Sequence, residues 1–371
     1  MKFSIIREQL ISVLSEYTNI LKENPIKPIV SGLKIIAKDN QVIFIGTNLE
    51  IEHIRKIEAE VEREGEVVLK PFLLLEYIKL LEEEKIEFLE EEKIEFSSEN
   101  GFVAVHQAEF SVLEGGSYPV IPELESQSLL TIEGNRLVQL LDRAKFAASQ
   151  SADNIQINCV RAVFKKEELN LASTDSYRLL FLREKVECNE NKELSIPMET
   201  VNILCKLLKD YNKEIHLGYS GETLVITWEN SYFSSKTIGL QYPDFKTILR
   251  ISAFEKRMEF NRDELRSAIK RVITVAKTSL DAKFGAIFNF TGKMMVINAF
   301  SGRAKINQKV NMLKEGEDFK ASLNCKFLAE YIDNISNNVI ISGNNASSMF
   351  EIREEGNEDY IYILMPLALR D

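Results

Sequence analysis

The chain is poor in the residues that build disulfide frameworks and metal centres. Only 4 of its 371 residues are cysteine and only 3 are histidine. The cysteines lie far apart without a CxxC pair, and the histidines show no HxxH or HExxH spacing. These spacings argue against a disulfide framework and against the common zinc sites. We therefore expect reduced, mostly buried thiols, and we expect neither a metal site nor a cofactor.

Signature motifs of several enzyme classes are also missing. The sequence contains no GxGxxG, no GxxxxGK[ST] and no GxSxG segment. A dinucleotide site, a phosphate-binding loop and a hydrolase nucleophile therefore have no recognisable place in the chain. Carboxylates are numerous, but none stands in a constellation that could perform catalysis. The sequence predicts a protein that is not an enzyme and has no catalytic residues.

Long hydrophobic runs are absent as well. No apolar stretch approaches the roughly 20 residues that a helix needs to cross a bilayer. The N-terminal segment Met1–Glu8 lacks the uninterrupted apolar core of a signal peptide. We expect a cytoplasmic protein without a membrane partner.

What the sequence does contain is one pattern that occurs three times at a nearly constant interval. Apolar residues recur at i, i+3, i+4, i+7 and i+11, the stripe of an amphipathic helix. A shorter stripe follows in each copy and recurs at the same interval. The long stripes comprise Leu10, Val13, Leu14, Tyr17 and Leu21; Leu137, Leu140, Leu141, Ala144 and Ala148; and Leu265, Ala268, Ile269, Val272 and Ala276. The short stripes comprise Leu74, Ile78 and Leu81; Val201, Cys205 and Leu208; and Leu328, Ile332 and Ile335.

The interval, which leads from Leu10 to Leu137 and on to Leu265, is much longer than the roughly 20–50 residues of solenoid repeats. Each copy can therefore be a domain with its own core. The repeat predicts an α+β chain of three tandem similar domains over residues 1–126, 127–254 and 255–371. Each domain would have two helices and several β-like stretches. Related phrases close the first two copies, Ser117–Pro122 and Gln241–Phe245, where a domain joint belongs.

The stretch from Leu169 to Leu182 contains two strand-like segments around Ser-Thr-Asp-Ser-Tyr-Arg. Ser, Thr and Asp side chains bond to nearby backbone, so such a run can turn or bulge a strand. Taken alone it could be an ordinary loop. A related segment, Val42–Ile51, lies earlier, and its Thr47 precedes Thr174 by the same interval that separates Leu10 from Leu137. The stretch therefore belongs to the repeat.

The charge is unevenly distributed. The net charge of −11 at pH 7 argues, as a total, against a nucleic-acid partner. The six predicted helices nevertheless carry a net +3, which leaves −14 for the rest of the chain. Arg262, Arg266 and Lys270 are spaced four residues apart and lie on one face of a predicted helix. The predicted helix one repeat earlier also carries basic residues, Arg136, Arg143 and Lys145. A solvated helix face is the usual reason for such a row, but its recurrence on an acidic background favours a surface that faces phosphates.

With these features in view, the chain resembles the bacterial sliding clamp family, the β subunit of DNA polymerase III. The resemblance extends over the whole chain and is carried by Gly46–Ile51, Ser173–Leu179, Tyr242–Phe245 and Ile363–Leu367. It implies the DNA clamp fold, in which each domain has two helices backed by antiparallel β-sheet. Two chains would form a head-to-tail dimeric ring with basic helices inside and an acidic sheet outside.

The resemblance also implies functional surfaces. It implies a processivity clamp that encircles double-stranded DNA without sequence preference. Such a clamp binds the replicative polymerase subunit, the clamp loader and repair proteins through short peptide motifs. The implied peptide cleft comprises Ile157, Thr174, Arg178, Leu179, Pro243, Ile248, Ile363, Met365, Pro366 and Leu367. The DNA-facing residues would be Arg136, Arg143, Lys145, Lys206, Lys209, Arg262, Arg266 and Lys270. The homodimer interface would involve Phe110 and Val112 on one side and Ile273 and Val275 on the other.

The sequence departs from the family pattern at several positions. Asn24 and Phe72 stand where members often have a DNA-contacting arginine, and Ala368 stands where many have arginine. The loop 150–154 is poor in basic and aromatic residues. The main alternative function is a three-domain peptide-binding scaffold that never meets DNA, which the acidic total favours. An enzyme ranks third.

Overall fold

The computed structural model describes residues 1–81, 93–99, 101–113, 117–250, 254–279 and 282–368. The first elements are β1 (Lys2–Ile6), α1 (Arg7–Tyr17), β2 (Leu33–Lys38), β3 (Gln41–Thr47), β4 (Ile51–Glu58), β5 (Glu60–Arg63), β6 (Gly65–Leu69), α2 (Pro71–Leu80), β7 (Lys93–Glu99), β8 (Phe102–Val105) and β9 (Ala108–Ser111). The next are β10 (Gln127–Glu133), α3 (Gly134–Lys145), β11 (Cys159–Lys165), β12 (Glu168–Thr174), β13 (Arg178–Lys185), β14 (Lys192–Pro197), α4 (Met198–Leu207), β15 (Glu214–Ser220), β16 (Thr223–Trp228), β17 (Ser231–Lys236) and α5 (Phe245–Arg250). The last are β18 (Lys256–Phe260), α6 (Arg262–Ala276), β19 (Gly285–Ser301), β20 (Ala304–Asn324), α7 (Cys325–Asp333), β21 (Val339–Gly343), β22 (Phe350–Glu354) and β23 (Tyr360–Leu364).

The helices follow the repeat that the sequence predicts. The long-stripe helices α1, α3 and α6 begin at Arg7, Gly134 and Arg262, and the short-stripe helices α2, α4 and α7 begin at Pro71, Met198 and Cys325. These starting points advance by the interval that separates the stripes. All fifteen long-stripe side chains are buried. Helix α1 ends at Tyr17, before the last residue of its stripe. Leu21 is buried in the tight turn that follows, and its amide donates to Tyr17 O at 2.9 Å.

Asparagine side chains cap the N-termini of two of the helices. Asn261 Oδ1 accepts from the amides of Asp263 and Glu264 at 3.1 Å each, ahead of α6. Asn261 is therefore the N-cap of α6. The carboxylate of Glu264 accepts from the backbone amide of Asn311 at 3.0 Å. Asn324 caps α7 in the same way as Asn261 caps α6.

The chain divides into two compact units, and the first comprises Met1–Val138 and Glu199–Thr237. Its described residues form a five-stranded sheet in the order β5-β1-β7-β8-β9 and an eight-stranded sheet in the order β10-β15-β16-β17-β4-β3-β2-β6. Every neighbouring pair in both sheets is antiparallel. The larger sheet joins the first and middle thirds of the chain, because Tyr232 on β17 lies opposite Ile54 on β4.

The first unit has a core in which α1 packs on strands. Tyr17 is fully buried and its hydroxyl donates to Phe44 O at 2.6 Å. A Cβ added at Gly46 would lie 2.4 Å from Tyr17 Cδ1, so this close approach requires glycine. Burial of side chains such as Phe3 and Leu10 contributes roughly 1.5–3 kcal/mol each.

The second unit comprises Gln139–Met198 and Ile238–Asp371, and the structure describes it as far as residue 368. Its eight-stranded sheet has the order β14-β11-β12-β13-β23-β22-β21-β18, and its two longest strands pair as β19-β20. The strands again pair antiparallel, and Leu179 on β13 lies opposite Ile363 on β23. The fold is α+β with antiparallel sheets, as predicted. The three domain boundaries remain a prediction.

The cysteines are free and buried, as the spacing analysis predicts. Burial raises the pKa of the Cys159 thiol to about 11 and that of Cys325 to about 12. Neither thiol is ionised at neutral pH, so neither is a ready nucleophile. In the part of the chain that the structure describes, no helix is long and apolar enough to cross a membrane.

Candidate functional site

The turn between β12 and β13 is held by its own side chains. Thr174 Oγ1 donates to Arg178 O at 2.5 Å and accepts from Ser176 N at 3.1 Å. Asp175 Oδ1 accepts from the amides of Tyr177 and Arg178 at 3.0 and 3.2 Å. Ser176 has φ 75°, the left-handed conformation that such a turn requires. The polar run thus fixes the backbone at the point from which Tyr177 and Arg178 project.

The same turn occurs one repeat earlier, between β3 and β4. Thr47 Oγ1 donates to Ile51 O and accepts from Leu49 N, both at 2.9 Å. Asn48 Oδ1 accepts from the amides of Glu50 and Ile51 at 3.1 and 2.8 Å, and Leu49 has φ 79°. The two segments therefore share hydrogen bonds and backbone conformation position by position. The structural similarity that the sequence predicts for the two segments is confirmed.

Arg178 is a buried hub and not an exposed ligand-binding cation. Its side chain is 7% exposed, and Nε donates to Asp175 Oδ2 at 2.9 Å. Nη1 is paired with Glu330 on α7, and Nη2 donates to Phe146 O at 2.7 Å. The guanidinium also lies 4.0 Å from the ring centroid of Phe327. Burial would lower the pKa of Arg178, but the Tyr362 hydroxyl and the Glu330 carboxylate outweigh it and raise that pKa. Arg178 therefore positions the turn against α7.

Four of the ten predicted cleft residues share one apolar cluster. Ile157, Leu179 and Ile363 are buried within it, and Ile248 on α5 packs against it. Tyr242 and Phe245 belong to the same cluster, and their rings meet edge to face with centroids 6.1 Å apart. Pro243, between these two aromatic residues, is exposed. The cluster therefore forms a mostly buried apolar base for the candidate site.

The chain beyond β23 contributes the exposed part of the candidate site. Met365 N donates to Tyr177 O at 2.9 Å, and Leu367 N donates to Ser322 O at 2.7 Å. Tyr177 is 65% exposed and Met365 is 43% exposed, so two large apolar side chains present themselves side by side. Pro366 and Leu367 are half-buried. Tyr177 lies within the Ser173–Leu179 segment but is not among the ten predicted cleft residues.

Helix α5 was not predicted from the sequence. It has six residues, too few to show a periodic stripe. Asp244 precedes it, and the Asp244 carboxylate accepts from the Thr247 hydroxyl at 2.6 Å and from the Thr247 amide at 3.3 Å. The hydroxyl bond is the main cause that lowers the pKa of Asp244. The Asp-x-x-Thr spacing is an N-terminal helix signal that could have revealed α5.

The basic row on α6 is tied to the end of α7. Arg266 is paired with Asp333, whose Oδ1 also lies 3.9 Å from Lys270 Nζ. Arg262 donates to Asp263 Oδ1 at 2.7 Å and to Ile332 O at 3.3 Å. Three cations on one face thus stand beside two carboxylates. The row is a weak positive surface and could meet phosphates without holding them tightly.

The other predicted DNA-facing residues differ in their surroundings. Arg143 stacks on Tyr360 at 4.1 Å and lies 4.0 Å from Glu354 Oε2, while Lys145 pairs with Asp142 at 2.6 Å. Arg136 is half-buried. Lys206 donates to Asn19 Oδ1 at 2.9 Å and remains exposed, as does Lys209. Their role toward DNA remains a prediction.

Of the two positions where arginine is replaced in the first third of the chain, Asn24 has a local structural role and Phe72 has none that the structure shows. Asn24 Oδ1 accepts from the amides of Ile26 and Lys27 at 3.0 and 2.9 Å, so it shapes its loop. Phe72 lies on α2 with 39% of its surface exposed. Neither position offers a cation to a phosphate.

The predicted dimer residues lie at a sheet edge and on a helix. β9 is the last strand of its sheet in the described residues, with β8 on one side. Phe110 on β9 is half-buried and meets Tyr77 edge to face at 5.7 Å, and Val112 follows the strand, also half-buried. Ile273 and Val275 are half-buried positions on α6.

The described part of the chain shows no cluster of metal-ligating side chains. Among those residues, no group of three or more His, Cys, Asp or Glu side chains is placed to hold a metal ion. His53 lies in β4, fully buried, with Nε2 2.8 Å from Glu16 Oε2 and Nδ1 3.1 Å from Tyr232 O. This histidine is a packed strand residue.

Comparison with known proteins connects these features. Residues 1–122 match the family model of the DNA polymerase III beta subunit N-terminal domain, and residues 131–244 match that of the central domain. The beta sliding clamp of Pseudomonas putida is 22% identical over 378 residues, with 100% of each chain covered. That of Staphylococcus epidermidis is 24% identical over 382 residues, with 99% of each covered.

Solved structures show the same fold. The DNA polymerase III beta subunit of Thermotoga maritima superposes with a TM-score of 0.91 at 21% identity, covering 100% of both chains. The DNA polymerase sliding clamp of Bacillus subtilis gives 0.88 at 21% identity, again over 100% of both. A Pseudomonas aeruginosa sliding clamp with a TM-score of 0.88 at 20% identity, covering 100% of both chains, is bound to griselimycin.

Proposed function

The chain belongs to the DNA polymerase III beta subunit family, and from this premise we propose that it is a DNA sliding clamp. In this role it encircles duplex DNA, moves along it and holds the replicative polymerase at the template. The role is mechanical and needs no catalytic residue or cofactor. It places the protein in the cytoplasm, where replication takes place in bacteria.

We propose that residues 1–126, 127–254 and 255–371 are three equivalent domains and that two chains close head to tail into a ring. The observation that carries this proposal is the recurrence of the helix pairs at a nearly constant interval along the chain. The matching turns after Thr47 and Thr174 support it. Similar domains arranged in series can make equal angular steps, and a heterologous interface closes only when the rotation per subunit suits a ring.

The dimer interface in this proposal joins the edge strand β9 to the region of α6. An edge strand presents unpaired N–H and C=O groups that a second chain can pair with. Phe110 and Val112 would contribute apolar contacts from one chain, and Ile273 and Val275 from the other. Such a contact buries half-exposed apolar side chains, which favours a stable dimer over a transient one.

DNA would be held by topology and not by tight contact. At least five of the eight predicted DNA-facing cations lie within 4.0 Å of a carboxylate in their own chain. They are Arg143, Lys145, Arg262, Arg266 and Lys270. Weak, sequence-independent phosphate contacts allow sliding, whereas tight contacts would hinder it.

Partners would dock at the site formed by the β12–β13 turn and the chain beyond β23. Tyr177 and Met365 are exposed side by side above the cluster of Ile157, Leu179 and Ile363. A methionine adapts its shape to different apolar anchors, which suits a groove shared by several peptides. We propose short segments of the polymerase, the clamp loader and repair proteins as the ligands.

The test of the assembly is its mass in solution. Sedimentation equilibrium should give about twice 42.5 kDa over a wide range of protein concentration. A species that stays monomeric at micromolar concentration would rule out the ring and leave the alternative of a peptide-binding scaffold. Duplex DNA is not required for this measurement, so the assembly is tested apart from its ligand.

A further inference from the structure

Three lysines and one aromatic residue meet where α6 ends and α7 begins. Lys283 Nζ and Lys326 Nζ lie 5.5 and 5.7 Å from the ring centroid of Phe284. Lys277 directly follows Ala276, the last residue of α6, and the Ala276 carbonyl oxygen accepts from Phe284 N at 2.8 Å. We call Lys277, Lys283, Phe284 and Lys326 the lysine cluster. None of its members is among the eight predicted DNA-facing residues or the ten predicted cleft residues.

Phe284 has a strained backbone that two hydrogen bonds hold in place. Its φ of 65° is a left-handed conformation that a bulky side chain rarely adopts. Its amide bonds to the end of α6, and its carbonyl oxygen accepts from Cys325 N, at the start of α7, at 2.8 Å. Such strain persists only where the surroundings impose it, and it occurs preferentially at functional sites. The two helix ends therefore fix the half-buried ring between Lys283 and Lys326.

Few carboxylates neutralise the lysine cluster. Within the described residues, neither Lys277 nor Lys283 pairs with a carboxylate. Lys326 lies 3.7 Å from Glu330, but Glu330 is also paired with Arg178. The negative end of α6 favours Lys277, whereas the first turn of α7 is the positive end of that helix and does not favour Lys326. An anion would relieve the repulsion between these ammonium groups.

The fold itself does not require cations at this place. The loop that follows the equivalent helix α3 contains no basic residue over 150–154. After α1, Lys22 pairs with Glu199 at 2.6 Å. The same helix end is thus uncharged in one copy and paired in another, while in the third it carries exposed lysines. The lysine cluster is therefore a property of the last third of the chain.

We propose that the lysine cluster binds backbone phosphates of duplex DNA and is a stronger contact point than the paired cations at the start of α6. Lys277 lies seven residues after Lys270, two helical turns on, so it continues the face of Arg262, Arg266 and Lys270. A duplex that lies along this face reaches the cluster. Lysine contacts phosphate as a point charge and reads no sequence. The inference rests on the proposed function, because it assumes that DNA passes beside α6.

A salt titration of DNA binding counts the phosphate contacts. The full chain is titrated into a short fluorescein-labelled duplex, and the binding constant is measured by fluorescence anisotropy at several salt concentrations. Each phosphate contact contributes about 0.9 to the slope of the logarithm of this constant against the logarithm of salt concentration. Lys277→Ala and Lys283→Ala should each weaken binding and reduce that slope by about 0.9. An unchanged slope in both variants would overturn the proposal.

Two further variants separate the lysine cluster from net charge and from the rest of the row. Lys166→Ala is the matched control, since it removes the same charge from an exposed turn between β11 and β12, and it should leave the slope unchanged. If it lowers the slope as much as Lys283→Ala does, only the total charge matters and the cluster is not a site. Arg266→Ala should lower the slope less than Lys283→Ala, because Arg266 is paired with Asp333. An equal or larger effect of Arg266→Ala would refute the stronger role of the cluster.

A single strand of the same sequence distinguishes phosphate contact from stacking on Phe284. We expect the duplex to bind more tightly, because it presents more phosphates along its length. Aromatic side chains can instead stack on the bases of single strands. Tighter binding of the single strand that is lost in Phe284→Leu would mean that the ring holds bases, and would overturn the assignment to duplex DNA.

The outcome for the lysine cluster can be separated from that for the clamp. If the chain sediments as a monomer but Lys277→Ala and Lys283→Ala still reduce the slope, the ring is refuted and the phosphate site stands. If the chain is a dimer that stays on circular DNA while both variants keep the slope, the cluster is refuted and the clamp stands.

Discussion

Replacing Arg178 by alanine tests whether the turn that carries Tyr177 depends on a buried ion-pair hub. The substitution removes the partner of two carboxylates, Asp175 and Glu330, which retain only 17% and 30% of their side-chain exposure. It also removes the donor to Phe146 O and the cation stacked 4.0 Å from Phe327. The loss should therefore exceed that of a surface ion pair.

The magnitude follows from burial. Breaking a buried ion pair from one side costs about 3–5 kcal/mol, because the remaining charge stays without compensation. Glu330 is partly exposed and keeps Lys326 Nζ at 3.7 Å, so we expect the lower end, about 3 kcal/mol. Arg183→Ala provides the matched control. Arg183 is on the same strand and also has two carboxylate partners, but it is 43% exposed. Such surface pairs are worth about 0–1 kcal/mol.

Urea denaturation followed by circular dichroism measures the two losses. Hydrogen exchange of the segments 178–185 and 360–364 should show faster opening in Arg178→Ala and little change in Arg183→Ala. Affinity for a cleft peptide should fall in Arg178→Ala as well, since the turn that bears Tyr177 is released. If the two variants lose equal stability, or if Arg178→Ala loses less than about 1 kcal/mol, the buried hub is not what holds the turn.

Three further predictions address the cleft, the dimer and the response to acid. The double variant Met365→Ala with Leu367→Ala should lower the affinity for a cleft peptide by at least about tenfold, because an apolar anchor is worth roughly 1.5–3 kcal/mol. Its Tm should change little. A large fall in Tm with unchanged affinity would show that these residues belong to the core. Phe110→Glu or Ile273→Glu should halve the sedimenting mass without unfolding the chain, because a buried unpaired charge opposes association. If either variant remains a dimer, the interface lies elsewhere. Burial would raise the pKa of Glu354, but bonds from the Ser336 and Asn337 amides and the Asn357 side chain outweigh it and lower that pKa. Its stabilising contribution is therefore complete above about pH 4.5, its ordinary value, and is lost as pH falls through the lowered pKa. Glu354→Gln should reduce the loss of stability in acid, measured by urea melts from about pH 6 down to about pH 3.

Helix positions and the shared geometry of the turns could be predicted from the sequence because they depend on local order. The stripe of Leu265, Ala268 and Ile269 fixes which face of α6 is buried, whatever it packs against. Thr174 and Asp175 bond to backbone within four residues, so their pattern is visible in a short segment. The residues of the cleft come from the family resemblance alone, and the cleft itself remains a prediction.

The environments of the charged residues could not be predicted, because their partners are distant in sequence. Arg178 meets Glu330 across 152 residues, and Arg266 meets Asp333 across 67. The sequence therefore did not show that cations in the row on α6 are paired with carboxylates in the fold. Helix α5 escaped detection because six residues cannot show a period of 3.6.

The most direct test of the sliding clamp is retention on closed and opened DNA. The protein is loaded by its clamp loader onto a nicked circular duplex and washed with salt, which weakens phosphate contacts. The circle is then cut once by a restriction enzyme, and the protein that stays bound is measured. We expect the protein to survive the salt wash on the circle and to leave when the circle is cut. Equal loss from circular and linear DNA as salt rises would mean that phosphate contacts alone hold the protein, and would contradict the ring.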